Sequence, residues 1–284
     1  MKILVTGGAG FIGSALCKRL SEEHEVWSLD DYSSGCKSKH HARVSYIDGS
    51  TSEISEIPEL ANVDTVFHLG EYARVERSFI DRRRVWESNQ AGTFEVIEFC
   101  QKVGAKLIYA GSSTKFGDDG LGRSQSPYSW SKASNTDLVC NYGNWFGLKY
   151  AITYFYNVYG PGEIEEGPYA TLIGLYSALY RGGQSLPVVL PGTQRRNFTH
   201  INDIVDALVL VGMYGEGDEY GIGCFDSFSV IEVAEMFGSD IEFLPERQGN
   251  RMSADLVLEK TLALGWRPKH HLHDYIRAIT CLEP

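Results

Sequence analysis

The 284-residue chain is 43% hydrophobic and carries 26 Lys and Arg against 37 Asp and Glu, a formal charge of −11. This length and apolar content allow one large domain or two unequal lobes, while the acidic balance without a Lys/Arg-rich run excludes a polyanionic nucleic acid as the natural partner. No apolar run reaches the length of a membrane span. The six cysteines include no Cys-x-x-Cys pair, which argues against a metal site or disulfide frame and for a reduced, cytoplasmic setting.

The chain opens on a strand, "KILVT" (2–6), where a leader peptide would place a basic and then an apolar segment. "VTGGAGFIGSAL" (5–16) follows. Gly8, Gly10 and Gly13 read G-x-G-x-x-G, and Gly7, Gly10 and Gly13 read G-x-x-G-x-x-G. Glycines at such a turn let backbone approach a pyrophosphate, whose charge the N-terminus of the next helix favours. That helix is expected over "SALCKRLSEE" (14–23). The next strand, "EVWSLD" (25–30), ends in Asp30, where a carboxylate can accept from the adenosine ribose hydroxyls and repel a 2′-phosphate. NAD is therefore expected over NADP. Asp31 is the competing carboxylate and reads as a turn residue.

Further strands are predicted at "VSYID" (44–48), "TVFHLG" (65–70), "KLIYAG" (106–111) and "YAITYFY" (150–156). The helices "TFEVIEFCQKV" (93–103) and "ASNTDLVCNYGNWFG" (133–147) lie among them. Alternation of this kind predicts an α/β fold, a doubly wound parallel sheet of the Rossmann type. The three arginines of "DRRRVW" (81–86) read as a solvated helix face. Past Tyr156, Pro and Gly become frequent, which suggests a smaller, loop-rich substrate lobe over 156–284 beside a dinucleotide-binding domain over 1–155. The helix "INDIVDALVLVGMYG" (201–215) interrupts that texture, and residues 195–215 are expected to return to the first domain.

"SPYSWSK" (126–132) places Tyr128 four residues before Lys132, so the two share a helix face. On spacing alone this is an ordinary surface pair. With "TGGAGFIGS", "FHLG", "GSSTKFG", "YNVYGPG", "RRNF", "PERQGN" and "LGWRP" in order along the chain, it resembles the extended short-chain dehydrogenase/reductases, in particular NAD-dependent nucleotide-sugar epimerases and dehydratases such as UDP-glucose 4-epimerase.

The resemblance implies a catalytic set in which Tyr128 is the acid/base, Lys132 its partner and Ser112 the hydroxyl that steadies the reacting oxygen. Ser113 and Thr114 are the near alternatives to Ser112. A free phenol titrates near 10, so a base at neutral pH needs about three units, roughly 4 kcal/mol. A cation about 4 Å away supplies about that much. The implied cofactor site comprises Gly7, Gly10, Phe11, Ile12, Gly13, Asp30 and Leu69, with Tyr128 and Lys132. The implied contacts to a nucleotide-diphosphate sugar, a UDP-sugar by preference, are Asn157, Arg196, Arg247 and Asn250. Ala254 stands where a bulkier residue would exclude an N-acetyl group. Glu71 replaces a small residue after "HLG", and reads as a substrate contact, an additional base or a solvent-facing loop carboxylate. A homodimer built on helices near 88–103 and 128–147 is also implied, with Leu138, Val139, Tyr142 and Trp145 either at the interface or in the core.

Dehydratases of this family carry Thr-Asp-Glu where this chain has Ser112-Ser113-Thr114, and the decarboxylases carry a Glu in that segment. What remains favours epimerisation at C4 through a transient 4-keto sugar. The alternatives are a dehydratase that uses Glu71, a net keto-sugar oxidoreductase, and a non-catalytic NAD-sensing protein.

Overall fold

The computed structural model describes residues 1–246 and 252–281. β1 (Lys2–Thr6), β2 (Glu25–Asp30) and β3 (Val44–Asp48) run parallel, with α1 (Phe11–Leu20) between the first two. The chain then crosses to the other side of β1. There β4 (Thr65–His68), β5 (Lys106–Ser112) and β6 (Tyr150–Phe155) extend the sheet in parallel. Between β4 and β5, α2 (Arg82–Val85) passes through a wider π turn at 86–91 into α3 (Gly92–Val103); α4 (Pro127–Phe146) joins β5 to β6.

The strands alternate their side chains between two cores. Ile3 and Val5 of β1 pack with Leu16 and Leu20 of α1, whereas Leu4 packs with Val96 and Ile97 of α3 and Val139 of α4. Both faces being covered, the strands read as continuous apolar runs.

After β7 (Val158–Tyr159), the chain leaves the sheet for α5 (Leu172–Arg181), β8 (Leu186–Val189), β9 (Arg195–Asn197) and β10 (Thr199–His200). It returns with α6 (Ile201–Tyr214), whose Ile204, Leu208 and Val211 join the core under α1, and with β11 (Gly217–Ile222), which pairs in parallel with β6. The seven-stranded order is β11-β6-β5-β4-β1-β2-β3. The segment that rejoins the first domain thus runs through Ile222 rather than ending near 215. β12 (Ser227–Ser229), α7 (Val230–Phe237), β13 (Ile241–Leu244) and, after the short α8 (Glu259–Ala263), α9 (Leu272–Thr280) follow; the second lobe's own core includes Ile173, Tyr176, Val188, Phe198, Val233 and Leu272. This lobe holds three helices, α5, α7 and α9, and three short strand pairs among the described residues, so it is less loop-rich than its Pro and Gly content suggests.

The direction of winding reverses between β1 and β4. In doubly wound sheets the crevice beyond the strand ends at such a reversal is where ligands bind.

Candidate active site

A cavity of about 1040 Å³ opens at that reversal, lined by the glycine turn, the ends of β2, β4 and β5, the start of α4, and the second lobe. The turn is sterically committed to glycine. Gly7 has φ +72°, and a Cβ on Gly13 would lie 2.0 Å from the Gly7 carbonyl oxygen. Asp30 accepts from the backbone N–H of Ala9 and of Tyr32, each at 2.8 Å and each on a different carboxylate oxygen. Burial pushes its carboxyl above the ordinary value, and those two N–H donors oppose the shift. Each oxygen keeps a lone pair for a ribose hydroxyl. The turn and carboxylate therefore fit a dinucleotide, and Gly7, Gly10, Phe11, Ile12, Gly13, Asp30 and Leu69 all line the cavity.

Tyr128 owes its position to a local cap. The Ser126 side chain accepts from the Ser129 N–H at 3.0 Å, and Pro127 fixes the first turn of α4. The Tyr128 hydroxyl donates to Ser112 Oγ at 3.3 Å, and Thr114 Oγ1 donates to the same atom at 2.9 Å. With its lone pairs so engaged, the Ser112 hydroxyl has its own proton to offer. Ser113 and Thr114 also line the cavity, but of the three it is Ser112 that meets Tyr128.

One turn along α4, the Lys132 ammonium forms an ion pair with Glu71 and donates to the Ala110 carbonyl; it lies 4.5 Å over the Tyr109 ring. Glu71 is not a solvent-facing loop carboxylate. Its side chain is 3% exposed, and besides Lys132 it accepts from Thr93 Oγ1, Tyr109 Oη and Asn135 Nδ2 at 2.9, 3.1 and 3.1 Å. Glu71 lines the cavity, but its carboxylate already has one cation and three neutral donors from the protein.

A chain of hydrogen bonds continues behind it. Thr93 spends its proton on Glu71, so at 2.9 Å it accepts from His68 Nε2; His68 Nδ1 then accepts from Thr6 Oγ1 at 2.7 Å, and Thr6 Oγ1 accepts from the Gly70 N–H at 3.0 Å. Burial holds His68 down to about 4, so it is the neutral tautomer that this polarity requires.

Toward the second lobe, Asn157 adopts φ +34°, a region asparagine tolerates, and donates to the Asn197 carbonyl at 2.9 Å. Arg196 on β9 donates to its neighbour's carbonyl at 2.8 Å. Both line the cavity. Arg247 and Asn250 lie outside the described residues. Ala254 is not among the residues lining the cavity; its backbone bridges to Gly117. Tyr72, Arg74, Arg84 and Tyr169 line it too and were not anticipated, although a basic residue just past a strand end at the winding reversal is the signal that points there. Of the three arginines expected on a solvated face, Arg84 turns inward: its Nη1 donates to the Tyr169 hydroxyl at 2.9 Å.

The model of the "NAD dependent epimerase/dehydratase family" matches residues 3–223. The chain belongs to that family. It is 32% identical to a UDP-N-acetyl-alpha-D-glucosaminuronate decarboxylase of Bacillus cytotoxicus over 82% of this chain and 78% of that protein. Its fold matches a UDP-glucose 4-epimerase of Thermus thermophilus in complex with NAD, at a TM-score of 0.89, 26% identity, and coverage of 99% of this chain and 98% of the other. A dTDP-glucose 4,6-dehydratase of Streptomyces venezuelae, solved with NAD bound, also matches at a TM-score of 0.89 and 26% identity, covering 98% of this chain and 96% of its own. The protein is an NAD-dependent enzyme of the nucleotide-sugar epimerase, dehydratase and decarboxylase group. Among the described residues, no helix is long and apolar enough to cross a membrane.

Proposed function

We propose that the protein epimerises a nucleotide-diphosphate sugar at C4 through a 4-keto intermediate, in the cytoplasm and as a homodimer. The observation that carries this reading is the polar make-up around Tyr128. The end of β5 offers three hydroxyls, Ser112, Ser113 and Thr114, and no carboxylic acid, while the nearby Glu71 is buried against Lys132. Losing a 6-hydroxyl needs a second acid and base beside the sugar. Oxidation and re-reduction at C4 need one proton-transfer group only.

Bound NAD supplies the reversible hydride chemistry. Tyr128 Oη takes the 4-hydroxyl proton and returns it to the same oxygen after the keto sugar has turned in the cavity and set the opposite face of C4 toward the cofactor. Ser112 donates to the reacting oxygen. Arg196 and Asn157 face the diphosphate, for which the planar fork of arginine is suited. Incubation with UDP-, GDP-, CDP- and dTDP-sugars, with products read by NMR and mass, tests the reading. A C4 epimer of unchanged mass supports it, and loss of water or CO₂ overturns it.

A further inference from the structure

The reaction above leaves two cations in the cavity without a role. Arg74 lies six residues past the end of β4. Its Nη1 donates to the Ala73 carbonyl at 2.9 Å, its Nη2 to the Tyr169 carbonyl, and its guanidinium sits 5.6 Å over the Tyr169 ring. Its Nε is shielded from solvent and has no hydrogen-bond partner among the described residues. Arg84 stands over the same ring at 5.9 Å and over Tyr72 at 5.7 Å.

Two carboxylates close by in sequence are already taken. Asp81 is held by Arg77 and by the Tyr72 hydroxyl, and Glu87 by Arg83 at 2.7 Å. Neither Arg74 nor Arg84 has an ion-pair partner among the described residues. The titratable groups that bear on Arg74 are phenols, Tyr128 first, and burial itself disfavours its charge.

Burying a guanidinium without an anion is costly, and such groups are paired when a site is complete. Of Arg74's five N–H donors two are used, and of the three that remain the Nε is shielded, which leaves the second hydrogens of Nη1 and Nη2 for an anion. Those two suit a carboxylate met bidentately. The place of Arg74 in the cavity that Tyr128 also lines matters, because a substituent on C5 of a pyranose is the immediate neighbour of the 4-hydroxyl.

We propose that the substrate is a nucleotide-linked hexuronate whose 6-carboxylate is bound by Arg74, with Arg84 as the second cation of the subsite. This rests on the C4 reading above, which fixes where the 4-hydroxyl lies. The carboxylate is bound and released unchanged, so the reaction's balance is that of the epimerisation itself.

The test uses the full-length protein with NAD and two matched probes, UDP-glucuronate and UDP-glucose. Wild type is expected to favour the uronate in kcat/KM by at least about 10-fold, the scale of one charged hydrogen bond. Arg74→Gln is expected to lower the uronate-to-glucose ratio by about 10- to 100-fold, and Arg74→Lys to restore part of it. A wild type that favours UDP-glucose, or an Arg74→Gln that lowers both substrates equally, overturns the uronate assignment and leaves the C4 reading standing. If neither probe is turned over, the C4 reading is judged by the wider panel of nucleotide sugars, and the subsite by calorimetry. Tighter binding of UDP-glucuronate that Arg74→Gln abolishes upholds it; equal binding of the two probes overturns it.

Discussion

Glu71 and Lys132, 61 residues apart in the chain, form an ion pair whose side chains are 3% and 6% exposed. A pair so deep is sustained only if its remaining lone pairs and protons are met. Thr93, Tyr109 and Asn135 meet the carboxylate, and the Ala110 carbonyl meets the ammonium. Three strands and helices thus fix the lysine that stands one turn from Tyr128: Ala110 and Tyr109 come from β5, Thr93 from α3, and Asn135 from α4 itself.

Removing one partner strands the other. Glu71→Gln is expected to cost about 3 kcal/mol in denaturant unfolding, the usual scale for a broken buried pair. The double variant Glu71→Gln/Lys132→Met is expected to be more stable than Glu71→Gln alone, because it no longer buries a lone cation. Additive losses in the double-mutant cycle would show that the two side chains do not interact.

Tyr128→Phe keeps the ring and removes the oxygen that donates to Ser112. Turnover is expected to fall by at least about 10²-fold, the scale of a positioned acid/base, with NAD affinity retained. Near wild-type turnover removes Tyr128 from the mechanism.

At the adenosine end, the Asp30 carboxylate lies where a 2′-phosphate would be repelled. Titrating NAD and NADP into cofactor-free protein is expected to give tighter binding of NAD. Equal or tighter binding of NADP counts against the role given to Asp30.

Assembly is open to direct measurement. Val139 and Tyr142 of α4 pack in the core rather than on an interface, whereas Trp86, Phe94, Trp130 and Trp145 are 58%, 41%, 48% and 61% exposed. Trp86 and Trp130 stack at 6.4 Å. Light scattering at micromolar concentration is expected to give a dimer mass, and Trp130→Glu a monomer. A monomeric wild type refutes the proposed homodimer.

What could be read in advance follows from how locally each feature is determined. β1, β4, β5 and β6 are buried on both faces, so their apolar runs stand out, and the observed ends of all six strands β1 to β6 lie within two residues of those expected. α1 begins at Phe11, three residues before its predicted start, because its first turn belongs to the glycine motif and carries little amphipathic pattern. β11, "GDEYGI", was not expected as a strand; it pairs with the edge that β6 offers. That Ser112, Tyr128 and Lys132 would line one cavity was legible from spacing and family likeness. The burial of Glu71 was not, since its donors come from β5, α3 and α4 and no local pattern announces them.

The histidine behind the pair gives a pH dependence with a definite sign. His68 is fully buried and held down to about 4 from 6.5. The folded state therefore binds fewer protons than the unfolded one. Its contribution to stability is complete above 6.5 and is lost as pH falls toward 4. A shift of this size corresponds to about 3 kcal/mol. His200 is also lowered to about 4 by burial, so wild-type unfolding alone cannot isolate His68. The comparison with His68→Gln does. Whatever that variant loses at pH 7, its difference from wild type is expected to shrink by about 3 kcal/mol between pH 7 and 4, because only wild type must protonate the buried ring. A difference that stays constant across that window would mean that His68 is not held neutral by burial, and the Thr6 hydrogen bond would then run from the ring Nδ1 to the hydroxyl, the Thr93–Glu71 bond being unchanged.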